Sequence, residues 1–236
     1  MIQVVITLVS ILATLFTVGS MFCGVPICLQ IRKQGHVGDI SGFPFITGVL
    51  VTPFWFQYGL FKNDIAIISI NSVAFVFMLS YAMFFLYHSK PKKNYLCQLS
   101  IILLIVASMF VLVQLKPDVK LLGIVATILN MINFGAPLAG LRVVLRDREV
   151  SSLPLPWCSV QFLVTFLWSI YGILCMDVFL VIPAASGMIL SAIQLFLFLI
   201  FPRTKQDLSP LETMAHWFTG RNMELKNRSD QVPFKI

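Results

Sequence analysis

The stretch FWFQYGLFKND, Phe54 to Asp64, returns 113 positions later as LWSIYGILCMD, Leu167 to Asp177. Trp55 aligns with Trp168, Tyr58 with Tyr171, Gly59 with Gly172 and Asp64 with Asp177, all at that one offset. Upstream, Gly24-Val25-Pro26 is answered by Gly135-Ala136-Pro137 at an offset of 111, the two-residue difference falling in the polar loop between. A repeat of this length is too long for a solenoid and suits a supersecondary module used twice.

The module has to live in lipid. Of 236 residues, 58% are hydrophobic and 11% are charged, against roughly 25% charged in a soluble domain. Seven apolar stretches follow one another at about 4–31, 40–61, 65–87, 94–115, 121–141, 150–175 and 178–201. Each reaches the roughly 17–25 residues that a helix needs to cross a bilayer. Barrel strands would instead alternate in ten-residue blocks. The start, MIQVVITLVS, lacks the basic region of a secretory signal, so the first stretch is expected to be retained as span 1.

Span 4 has no partner in the repeat and returns the chain to the side on which it began, so the second unit runs in the same direction as the first. The predicted fold is therefore all-α, seven spans arranged three plus one plus three, as two parallel triple-helix repeats. The expected division is 1–88 for the first bundle and 89–120 for the linker helix with its loops. The second bundle then takes 121–202, and 203–236 is a flexible tail without helical periodicity. The loop RKQGHVGD is short, which predicts that spans 1 and 2 are neighbours.

Orientation follows from Lys and Arg, which gather on the cytoplasmic side of short loops. With the amino terminus outside, the inner segments hold Arg32, Lys33, Lys90, Lys92, Lys93, Arg142, Arg146 and Arg148, together with the tail. The outer ones hold Lys62, Lys116 and Lys120. A basic inner face on anionic lipid accounts for the net charge of +7, and no nucleic acid is needed. The single N-glycosylation sequon, Asn227-Arg228-Ser229, would then lie in the cytosol and stay unmodified. Cys23, Cys28, Cys97, Cys158 and Cys175 show no metal-ligand spacing and are read as reduced, packed thiols.

None of the seven stretches carries Asp, Glu, Lys, Arg or His away from its ends. Proton relays, ion coupling and voltage sensing place such groups at membrane depth, so a pump is disfavoured. Enzymatic chemistry has no nucleophile–base set, metal cluster or phosphate loop to stand on, and no cofactor is implied. What the spans chiefly offer is Asn71, Asn130, Asn133, Gln57, Gln161 and Gln194, with the repeated Trp and Tyr pairs, Trp55 and Trp168 foremost. Asn71 lies about one and a half turns below the outer surface, and Trp55 at a similar depth, so both are expected to face one cavity. Asn in a membrane helix is commonly interhelical glue and Trp an interfacial anchor. Their depth and the shared register of the Trp pair argue for binding: an amide bonds hydroxyls in both directions, and an indole packs on the C–H face of a sugar. Pro26, Pro44, Pro137, and Pro154 or Pro156, at the inner ends of spans 1, 2, 5 and 6, are candidate gate hinges. Asp64 and Asp177, near Tyr58 and Tyr171, can close an outer gate through carboxylate–phenol bonds.

VGDISGFPF (37–45), WFQYG (55–59), SINSV (69–73), NMINFGAPL (130–138), REVSSLPLPW (148–157) and WSIYG (168–172) resemble, in order, the motifs of the SWEET sugar facilitators. The resemblance covers nearly everything but the tail. It implies bidirectional, energy-independent transport of mono- or disaccharides by alternating access, in the plasma membrane or the Golgi, by homo-oligomers. It also implies a proline tetrad of Pro26, Pro44, Pro137 and Pro154, with Pro156 competing for the fourth place. Two positions depart from the family. Ala184 stands where a second pocket Asn is expected, and Gln57 stands where plant members carry Trp. The other readings are a seven-span receptor, which would have no internal repeat, and a membrane trafficking or scaffold protein of the PQ-loop type.

Overall fold

The computed structural model describes residues 1–38, 40–151, 153–204 and 207–219, so the sequon and most of the tail lie outside the described residues. The described chain is helical throughout: α1 (Ile2–Met21), α2 (Gly24–Gln34), α3 (Phe43–Lys62), α4 (Ile65–His88), α5 (Lys92–Leu115), α6 (Val119–Ile132), α7 (Gly135–Asp147), α8 (Leu155–Leu174), α9 (Val178–Ile200) and α10 (Pro210–Thr219). Six segments are long and apolar enough to cross a membrane, counting α1–α2 and α6–α7 as one each. The seventh, α3, is 20 residues long but carries Pro53, Trp55, Gln57 and Tyr58, which lower its hydropathy. The protein is an integral membrane protein with the three-plus-one-plus-three order of two bundles and a linker.

Spans 1 and 5 are each broken in two, and the same Gly-x-Pro pattern does it. Pro26 and Pro137 are the third residues of α2 and α7. A proline there donates no N–H and its ring crowds the carbonyl four residues back, so the preceding turn tightens. Accordingly the Phe22 and Asn133 amides donate three residues back, to Gly19 O and Asn130 O. A carbonyl near each break is bonded from the third helix of the bundle. Tyr81 on α4 donates to Met21 O at 2.9 Å, and Gln194, at the Tyr81 position of α9, donates to Pro137 O at 3.3 Å. A proline inside α9, Pro183, similarly deprives Phe179 O of its helical donor, and Thr127 on α6 supplies one at 3.1 Å.

Each unit also starts its third helix alike, and α6 starts the same way. Asp64, Asp118 and Asp177 are extended N-cap residues whose carboxylates accept first-turn amides of α4, α6 and α9, an arrangement that satisfies donors with no partner inside the helix. Side-by-side packing of spans 1 and 2 is not what forms. Within the first bundle α4 packs against α1, α2 and α3, and within the second α9 packs against α6, α7 and α8. The third helix of each bundle therefore sits between the other two, because its two apolar sides can cover both while the short loop swings past its end. The bundles meet as α1 on α8 and α3 on α6, and the linker α5 lies against α3 and α4.

The tail also departs from the sequence reading. Ser209 and Glu212 form a reciprocal cap, with Ser209 N–H to Glu212 Oε2 at 2.9 Å and Glu212 N–H to Ser209 Oγ at 3.1 Å. This S-x-x-E pattern is an N-terminal signature that sits ahead of too short an apolar run to show periodicity. It starts α10, which packs on α9.

Candidate functional site

Both ends of the molecule are built from the repeat, and they are bonded differently. At the aspartate end the two bundles are tied crosswise. Tyr58 on α3 donates to Asp177 at 2.8 and 2.7 Å, and Tyr171 on α8 donates to Asp64 Oδ2 at 2.7 Å. Each tyrosine thus reaches the cap of the other bundle's third helix. The carboxylates do two jobs at once: Asp64 Oδ1 accepts the amides of Ala66 and Ile67, and Asp177 Oδ1 accepts that of Phe179. Lys62 adds an ion pair to Asp177 Oδ2 at 3.1 Å and lies over the Tyr58 ring at 5.7 Å. Tyr58, Tyr171 and Asp177 are buried. Hydrogen bonds to an ionised carboxylate are about twice as strong as neutral ones, and here they lie at a largely buried crossing. Gly123 on α6 makes room for it, since a Cβ there would stand 3.0 Å from Tyr58 and 2.8 Å from Phe179.

The proline end lacks such crosswise bonds among the described residues. Pro26, Pro44, Pro154 and Pro156 are exposed and Pro137 is half-buried. Pro44 and Pro156 share one position, the second residue of α3 and α8, while Pro154 is the extended residue that caps α8. Among the described residues no hydrogen bond or ion pair ties one bundle to the other at this end.

Between the ends lie the candidate binding residues. Trp168 is half-buried and packs against Met21 on α1 and against Ile70 and Ala74, which flank Asn71 on α4. The structure therefore brings Trp168 and the Asn71 segment together across the bundle boundary. Asn71 is half-buried, and its Nδ2 donates to Ile67 O one turn back at 2.8 Å. Trp55 is placed differently. It is 5% exposed, inside a cluster with Met109 of α5 and Leu122 and Ala126 of α6, so in this conformation it does not open onto a cavity with Asn71. Its Nε1 has no hydrogen-bond partner. Ala184 is half-buried on α9, one residue after Pro183. Three residues outside the predicted site take part: Lys62, expected only as an outer loop charge, at the aspartate end; Gln194, named only among the span amides, at the second break; and Thr17, which the sequence does not single out and whose Oγ1 accepts the Trp168 indole N–H at 2.9 Å.

This duplicated architecture has counterparts among known proteins. The model of the family described as "Sugar efflux transporter for intercellular exchange" matches the chain twice, over residues 7–93 and 120–206. The chain belongs to that family, the SWEET transporters. It is 48% identical over 227 residues to the "Sugar transporter SWEET1" of Caenorhabditis elegans, covering 96% of this chain and 76% of that one. It is 28% identical over 216 residues to the "Bidirectional sugar transporter SWEET7b" of Oryza sativa subsp. japonica, covering 85% and 80%. A solved structure, described as that of a eukaryotic SWEET transporter, superposes with a TM-score of 0.79 at 22% identity. The match covers 84% of this chain and 96% of that one, and it shows the shared fold.

Proposed function

We propose that the protein is a passive, bidirectional uniporter of mono- or disaccharides that works by alternating access. The observation that carries the reading is the crosswise bonding of two duplicated bundles at the aspartate end. Tyr58–Asp177 and Tyr171–Asp64 hold that end shut, and among the described residues the proline end shows no equivalent pair of bonds. Rocking one bundle against the other would exchange those bonds for closure at Pro26, Pro44, Pro137 and Pro154 or Pro156. In this reading the aspartate end is the outer gate and the structure is the inward-facing state. Sugar lies between, with Asn71 bonding hydroxyls, Trp168 offering an aromatic face, and Ala184 on the side of the second bundle.

The family relationship supports transport over the receptor reading, since the printed names of the relatives include "Bidirectional sugar transporter". Energy independence is supported by the spans themselves, which hold no ionisable side chain away from their ends. The outside amino terminus, cytoplasmic tail, plasma-membrane or Golgi location and homo-oligomeric state belong to the same proposal. In purified proteoliposomes, a pH or sodium gradient without a sugar gradient should produce no accumulation. Uphill uptake under either gradient would overturn the uniporter reading, and the absence of any sugar flux would favour the scaffold class.

A further inference from the structure

The two indole N–H groups of the repeat have opposite fates. Trp168 Nε1–H donates to Thr17 Oγ1 at 2.9 Å, and the Thr17 hydroxyl in turn donates to Ala13 O at 2.6 Å. Thr17 is therefore fixed in the role of acceptor, with its proton already committed to its own helix. The bond also crosses between bundles, from α8 to α1. In the other unit the position answering Thr17 at the offset of 111 is Ile128, an exposed residue with no acceptor, and Trp55 Nε1 is left unpaired. Trp168 is held on two further sides, edge-on to Tyr171 at 5.5 Å and against Met21, Ile70 and Ala74.

We propose that Thr17 is a positioning residue that sets both the plane and the polarity of the sugar-contacting indole. This deepens the reading above and rests on Trp168 meeting the sugar. An indole has one polar atom, and Thr17 takes it away from the substrate. What Trp168 then presents is a ring face fixed in one orientation, which selects a pyranose by a continuous patch of C–H bonds and leaves hydroxyl readout to Asn71. Without Thr17 the N–H would be free to turn toward a sugar hydroxyl or to stay unpaired in an apolar setting, and the plate would lose its fixed plane.

Thr17→Val keeps the shape and removes the acceptor. In proteoliposomes it should raise the KM for the transported sugar about three- to tenfold, the order expected for one buried hydrogen bond, with little change in maximal rate. Thr17→Ser should restore the KM. In a Trp168→Phe background, where no N–H remains, Thr17→Val should have no further effect on KM. A wild-type KM in Thr17→Val would overturn the proposal, as would an equal KM shift with and without the indole N–H. Should Thr17→Val fail to accumulate, Thr17→Cys tests the same bond with a much weaker acceptor, and a wild-type KM there overturns it too. Trp168→Ala separates the two layers. Normal flux in that variant removes Trp168 from the sugar site, whereas impaired flux beside a wild-type KM in Thr17→Val removes Thr17 alone.

Discussion

The first bundle and the second keep the same backbone instructions and differ in the side chains placed on them. Both break their first span at a Gly-x-Pro, both cap their third helix with Asp, and both send a Tyr to the opposite cap. Beyond that they diverge. Lys62 pairs with Asp177, while the equivalent Cys175 is a thiol whose burial pushes its pKa up. Asn71 faces Ala184 in the alignment, and Tyr81 faces Gln194. Asn63 and Met176 both take left-handed backbone, φ 53° and 50°, ahead of their caps. Asn adopts that region readily and Met does not.

The outer faces differ as well. In the first bundle Val49, Phe75 and Leu79 share a cluster with Leu99 and Ile102 of the linker α5. Their counterparts Phe162, Met188 and Ala192 line an open apolar groove between α8 and α9. The comparison teaches that duplication has kept the Gly-x-Pro breaks, the Asp caps and the Trp–Tyr pairs, and has changed residues around them, Asn71 against Ala184 and Lys62 against Cys175 among them. Function should therefore be asymmetric on a nearly symmetric frame.

That asymmetry can be broken at several points. The largest effect is expected in the substrate layer, where Trp168→Ala and Asn71→Ala should each lower flux about 10- to 200-fold while surface labelling shows the chain still in the membrane. Trp55→Phe, by contrast, removes an N–H that has no partner and should leave flux close to wild type. At the aspartate end, Asp177→Asn should loosen the closed state more than Asp64→Asn, since Asp177 receives both Tyr58 and Lys62 and Asp64 receives Tyr171 alone. In a chain whose sole cysteine is Cys175, an impermeant maleimide added outside should react faster with Asp177→Asn than with Asp64→Asn. Equal rates would show that Lys62 adds nothing to the closure.

Smaller still is Ala184→Asn, which returns an amide to the second bundle. It should alter the ratio of fluxes for a mono- and a disaccharide more than it alters expression. The smallest is Met176→Asn, which copies Asn63 at the strained position and should stabilise the protein by up to about 1 kcal/mol. A thermal-shift scan in detergent showing no gain would mean that the strain is relieved elsewhere.

Much of the frame is legible in the sequence because it is carried by residues with one dominant physical effect. A Pro three residues into a helix, an Asp before an apolar run, and a seven-fold alternation of apolar stretch and loop leave few alternatives. The repeat supplies the symmetry. Pairing across bundles is not legible in this way. Tyr58 and Asp177 are 119 positions apart, and proximity in sequence would have joined Tyr58 to Asp64. The short loop between spans 1 and 2 predicts neighbours that the fold separates by α4, because loop length limits reach without fixing which neighbour fills the gap. The burial of Trp55 was hidden because α3 is covered by α4, α5 and α6 at once, and a helix surrounded on several sides shows no polar face to orient it. Thr17 gave no signal, being one hydroxyl in a long apolar run, where such a residue usually bonds its own helix. It does that as well, and only the fold shows its second bond.

The central claim is that sugar passes through one binding layer that opens alternately to the two sides with no other driving force. Counterflow tests it most directly. Proteoliposomes loaded with unlabelled sugar and diluted into a trace of labelled sugar, with no ion or pH gradient, should accumulate label transiently above its equilibrium level and then lose it. Trp168→Ala should abolish the overshoot. Label that rises only to equilibrium without overshoot would indicate a channel, and label that never exceeds the level in protein-free vesicles would contradict transport altogether.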